Sequence, residues 1–173
     1  MATATITPDK DAVVAEIFIA APRERVFQAI TDPTQVSQWW GQKGLYRITG
    51  GEADVRTGGK WVSRGIGEDG REFSVAGEYV EVDPPRLLVH TWKPDYDPSL
   101  RATLVRWELT QQSVHGLQSG GPHKMGMGTL VKIHHSGFAG NEKAASDHGE
   151  GWKRVMGWAK AFVESGETVE TRK

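Results

Sequence analysis

The chain has 173 residues, a net charge of −1 at neutral pH, 38% hydrophobic residues and 25% charged ones, the balance of one soluble domain with a single substantial core. Arg and Lys are dispersed, so no basic face is set aside for nucleic acid. The absence of cysteine excludes disulfides, thiol catalysis and thiolate metal sites, and no apolar run approaches the roughly 20 residues of a membrane span.

The opening MATATITPDKDAVV is polar and lacks the hydrophobic stretch of an export signal, so residues 1–12 read as a flexible lead and a cytoplasmic location is expected. VVAEIFIA (13–20) alternates as a strand. APRERVFQAIT (21–31) has Pro22 at a helix start and Val26, Phe27 and Ile30 at helical spacing. Asp32-Pro33, a cap followed by a first-turn proline, restarts a second short helix through TQVSQWW to Gly41. Strand and turn follow to about residue 136, with bends at Gly50-Gly51, Gly58-Gly59, 68–70 and 83–85. The Gly- and Ser-rich segment 113–127 reads as a long, mobile hairpin loop. From Asn141 to about Glu164, Ala145, His148, Trp152, Val155, Met156, Ala159 and Val163 share one helical face.

This order, strand, two short helices, about six antiparallel strands and a long helix, defines an α+β domain over residues 13–165 with a tail at 166–173. A bent antiparallel sheet gripping one long helix tends to leave a cavity between them. Seven tryptophans fit such a place, because indoles favour cavity walls and interfaces. By the two-residue strand period Leu88, His90 and Trp92 share a face, and a hairpin across Asp83-Pro84-Pro85 sets Tyr79 near His90. Val105, Trp107 and Leu109 form a second inward set, and Val131, Ile133 and His135 a third. Trp61, and Trp152 and Met156 from the helix, extend the same wall. Neighbours on a helix diverge, so one of Trp39 and Trp40 anchors in the core and the other faces the cavity; spacing does not choose between them. The alternative reading is a core filled solid by these same side chains.

The histidines offer little chemistry. His134 and His135 point to opposite faces of a strand and cannot chelate one metal together. His90 and His135 could meet in the cavity as ligand-orienting donors or a general base, or serve as hydrogen-bonded core residues. His115 and His123 lie in the long loop. Nothing matches a nucleophile elbow, Ser119 in SGGPH included, or a phosphate loop, and no cofactor or metal is expected.

The stretches APRERVFQAITDPTQVSQWWG, GGKW (58–61), GEYVEVDPPRLLVHTW (77–92), VRWEL (105–109), GTLVKIHHSGF (128–138) and HGEGWKRVMGWAKAF (148–162) together resemble the activator of heat-shock-protein-90 ATPase homologue-like family of the START-like (SRPBCC) superfamily. The resemblance implies a helix-grip fold, a curved sheet around the C-terminal helix with a hydrophobic cavity between them. It implies less about activity; with the apolar wall read above, the leading expectation is binding of a small hydrophobic or aromatic ligand, with a role in sensing, carriage or stress response. Some superfamily members are cyclases or hydrolases, so an enzyme acting in that cavity is the first alternative. The family name suggests a chaperone-contacting module as the second. A homodimer is compatible with an exposed edge strand and surplus tryptophan.

Overall fold

A computed structural model of the protein describes residues 1–99, 101–118 and 125–173. The elements run β1 (Thr3–Ile6), β2 (Ala12–Ile19), α1 (Arg23–Thr31), α2 (Pro33–Trp39), β3 (Gly41–Gln42), β4 (Tyr46–Ala53), β5 (Lys60–Gly67), β6 (Glu72–Asp83), β7 (Leu87–Pro94), β8 (Thr103–Gln118), β9 (Met125–Ser136) and α3 (Glu142–Ser165). One curved nine-stranded sheet has the order β1-β2-β9-β8-β7-β6-β5-β4-β3. Each neighbouring pair is antiparallel.

The α1–α2 segment links β2, near one edge, to β3 at the other. Asp32 caps α2 by accepting from the Thr34 N–H at 2.9 Å, ahead of the first-turn Pro33. Gly41 follows with φ +139°, and a side chain there would collide with the backbone of Tyr46 and Arg47. The glycine therefore lets the chain fold back directly into β4.

Asn141 caps α3 through Ala144, and Gly166 ends it in a left-handed turn whose N–H bonds back to the last carbonyls. Trp152, Val155, Met156, Trp158, Ala159 and Phe162 form its buried face. They join Ile17, Ile19, Val105, Trp107, Leu109, Val131 and Ile133 from the sheet in one core. Among the described residues no helix is long and apolar enough to cross a membrane.

Two expectations change. The polar lead contains an edge strand, since Thr3–Ile6 pairs in register with residues 13–16 of β2. The segment 113–127 is largely strand: β8 continues to Gln118 and β9 begins at Met125, with a register shift between Val114 and Gln118. Backbone pairing with a neighbour overrides its glycine-rich composition. Ser119 and His123 lie outside the described residues. The tail also docks. Val169 is buried and its N–H bonds to Gln38 O at 2.8 Å, while Arg172 Nη1 reaches Trp39 O and Gly41 O.

A cavity between the sheet and the short helices

A cavity of about 430 Å³ opens between the β4–β7 half of the sheet and the α1–α2 segment. That falls within the roughly 300–1,000 Å³ of small-molecule sites. No α3 residue lines it; α3 borders a separate space through its first half, from Lys143 to Val155. Met156 and its neighbours pack the interior between the later turns of α3 and β2, β8 and β9.

Trp40, Trp61, Tyr79, Leu88, His90, Trp92 and Trp107 line the cavity. The register explains the grouping. Tyr79 pairs with His90 across β6 and β7, and Leu88 pairs with Trp107 across β7 and β8. Trp61 enters opposite Gly77, where a side chain would strike its indole nitrogen. Trp39, Ile133, His135 and Met156 do not line the cavity; each is enclosed in packing, with at most 1% exposure. Trp152 instead borders a second cavity of about 400 Å³ against the start of α3 and the loop at 95–99. Trp40, Tyr46, Trp92 and Tyr96 border both spaces.

The doubled tryptophan is therefore resolved. Trp39 is the anchor, donating its indole N–H to Ala29 O of α1 at 2.9 Å. Trp40 is the cavity residue, stacked on Trp39 at 5.2 Å and on Trp92 at 6.2 Å. Its indole N–H donates to the Tyr46 hydroxyl at 3.3 Å. Sequence reasoning missed Tyr46, Ile48, Phe73 and Val75 in the wall. The signal was present, because Phe73 and Val75 stand in the same two-residue alternation as Tyr79.

Both histidines are held as fixed neutral tautomers. His90 Nε2 accepts the Trp107 indole N–H at 3.0 Å, which leaves Nδ1 to donate to Thr91 O at 3.0 Å. Burial pushes the His90 pKa down to about 4. His135 takes the opposite tautomer. Its Nδ1 accepts from Trp152 at 3.0 Å and its Nε2 donates to Thr103 Oγ1 at 2.6 Å. Burial, then the nearby imidazoles of His148, His90 and His134, holds its pKa well below the ordinary value. The two do not meet: Trp92 lies between them, 6.4 Å from His90 and 6.1 Å from His135.

Tyr79 keeps its phenolic proton, its pKa raised to about 12 by burial and by the Asp54 carboxylate. The cavity rim carries Glu52, Asp69, Arg71 and Glu72. The outer face of the sheet carries the ion pairs Arg106–Glu108 at 2.7 Å and Lys132–Glu16 at 3.8 Å. Among the described residues no three His, Asp or Glu side chains cluster closely enough to hold a metal ion.

A sheet wrapped over a C-terminal helix, with a cavity under its concave face, is the helix-grip architecture of START-like proteins. Solved structures share it. A Rhodobacter sphaeroides protein superposes with a TM-score of 0.69 at 20% identity, over 93% of this chain and 97% of its own. Protein Ms6760 from Mycobacterium smegmatis gives 0.70 at 20% identity, over 94% and 96%. A protein from Arthrobacter aurescens gives 0.72 at 16% identity, over 93% and 90%. No curated protein matches the chain by sequence. The model of the family described as Activator of Hsp90 ATPase homolog 1-like protein matches residues 20–117. The chain belongs to that family.

Proposed function

We propose that the protein binds a small hydrophobic or aromatic molecule in the cavity between β4–β7 and the α1–α2 segment, as a cytoplasmic sensor, carrier or stress-response protein. The observation that carries this reading is the cavity itself, about 430 Å³ walled by four indoles, three phenols and aliphatic side chains. An apolar cavity of about 150 Å³ is already enough to hold benzene. A guest burying about 200 Å² of apolar surface gains about 5 kcal/mol, enough to bind without any catalytic group. Both nitrogens of His90 and of His135 are engaged in hydrogen bonds, which supports binding over proton-transfer chemistry.

Ser63 faces the cavity from a half-buried position, so Ser63→Phe should fill the space at little cost to folding. Saturable quenching of tryptophan fluorescence by naphthalene-class compounds, abolished in Ser63→Phe, is the expected result. Absence of saturable binding to the unaltered protein would reject the proposal.

The family description supports a second reading, contact with a chaperone. Its test is a pull-down with the chaperone's ATPase domain. Retention on the resin, unaffected by Ser63→Phe, would favour a surface role over the cavity.

A further inference from the structure

The second cavity, about 400 Å³ between the loop at 95–99 and the first half of α3, plays no part in the function proposed so far. Its inner wall is apolar, built from Trp40, Tyr46, Trp92, Trp152 and Val155. Its mouth is polar, with Asp97 and Ser99 from the loop facing Asn141, Lys143, Asp147 and His148 at the start of α3.

Gly151 also stands in this wall, inside α3. Glycine is a poor helix former, and packing does not demand it here, because an added Cβ would meet nothing within 4 Å. The missing side chain leaves room in the cavity.

The mouth is charged unequally. Asp97 Oδ1 accepts the Ser99 N–H at 3.0 Å and the Ser99 hydroxyl at 2.5 Å, which fixes that carboxylate in place. Asp147 already holds the Lys143 ammonium at 2.8 Å. Two carboxylates therefore face one cation among the described lining residues. His148 donates Nδ1–H to Ala144 O at 2.8 Å, so Nε2 of the neutral ring can only accept. Tyr96, flanked by Asp95 and Asp97 and 59% exposed, adds an open ring to the same border, and a ring face attracts a cation.

We infer that this second cavity binds an organic cation, an ammonium group on an aryl or alkyl body. The body would lie against the indole wall and the charged head beside Asp97 and Asp147. An anion would meet the surplus of negative charge at the mouth. The site is distinct from the first cavity, since His148, Gly151 and Trp152 border only the second space, and Trp61, Ser63 and Val75 only the first.

The test titrates 15N-labelled protein with 2-phenylethylammonium, 2-phenylethanol and phenylacetate, probes of similar size that are cationic, neutral and anionic. The ammonium should bind about 3- to 10-fold tighter than the alcohol, with the carboxylate weakest. Backbone amides of Ser99, His148 and Gly151 should shift with the ammonium while those of Ser63 and Val75 hold still. Gly151→Leu should fill the space and abolish this binding; Ser63→Phe, which closes the first cavity, should leave it intact. Asp97→Asn should weaken the ammonium about 2- to 5-fold and spare the alcohol. Should a variant fail to fold, the order of affinities and the pattern of shifts in the unaltered protein still decide. Alcohol binding as tight as the ammonium's would overturn the inference. So would ammonium shifts centred on Ser63 and Val75, or no saturable shift at all. None of those results counts against the first cavity, which the naphthalene-class compounds test separately.

Discussion

Trp152 on α3 donates its indole N–H to Nδ1 of His135 on β9 across 3.0 Å, so this link between helix and sheet exists only while His135 is neutral. Protonated Nδ1 would present a hydrogen to the indole hydrogen. The Trp107–His90 bond has the same dependence on a neutral ring, through Nε2.

Stability should therefore fall as pH is lowered. His90 has a folded-state pKa of about 4 against an ordinary 6.5, and His135 is shifted the same way. The unfolded chain then binds more protons than the folded one. The contribution is complete above about pH 6.5 and is lost as pH falls toward about 4. For His90 it is on the order of 3 kcal/mol. Urea midpoints measured from pH 8 to pH 4 should drop through that window, and His90→Gln should flatten the drop. Equal midpoints across the window would contradict the assignment.

Replacing Trp152 with Phe keeps an aromatic ring in the core but removes the donor to His135. The loss should be about 1–3 kcal/mol, the cost of an unsatisfied buried acceptor. Freed from the opposing N–H, the His135 ring should also titrate at higher pH than in the unaltered protein. An NMR titration of its ring protons checks the direction.

Adjacent tryptophans should behave differently. Trp39→Ala removes a fully enclosed indole and should cost about 3–5 kcal/mol. Trp40 is half-buried and borders both cavities. Trp40→Ala should cost less in thermal unfolding and should join the two spaces, admitting larger guests than the unaltered protein accepts.

Arg172 closes the chain onto this same segment. Its Nη1 donates to Trp39 O and Gly41 O, its Nε pairs with Glu167 at 3.0 Å, and its guanidinium lies 5.2 Å from the Trp158 ring. Its side chain is only 6% exposed, unlike a surface ion pair. Arg172→Ala should destabilise by about 1–3 kcal/mol, measurable as a lower chemical-denaturation midpoint. A change within error would mean that the tail is dispensable.

Local periodicity made the main elements legible: the Asp32-Pro33 restart, the face shared by Leu88, His90 and Trp92, and the pairing of Tyr79 with His90. What it missed depended on partners distant in sequence. Thr3–Ile6 is too short and polar to announce a strand, and it becomes one because β2 offers a free edge. The choice between Trp39 and Trp40 turned on Ala29 O and Tyr46, supplied by separate elements. The histidines looked like candidate chemistry because the indoles that occupy their nitrogens lie 17 residues away in each case. The indole-lined cavity lies by the short helices because the side chains on the later turns of α3, whose volume periodicity does not weigh, pack against β2, β8 and β9, and the start of α3 borders a separate space.

The rings from Trp39 through Trp40 and Trp92, stacked, to Trp61, tilted against Trp92, have successive centroids 5.2, 6.2 and 5.7 Å apart and form a run of near-ultraviolet chromophores in close contact. Light absorbed at the sealed end can migrate toward the open one. A single occupant should therefore dim emission from the whole series, giving the molecule a built-in optical gauge of occupancy that needs no attached dye.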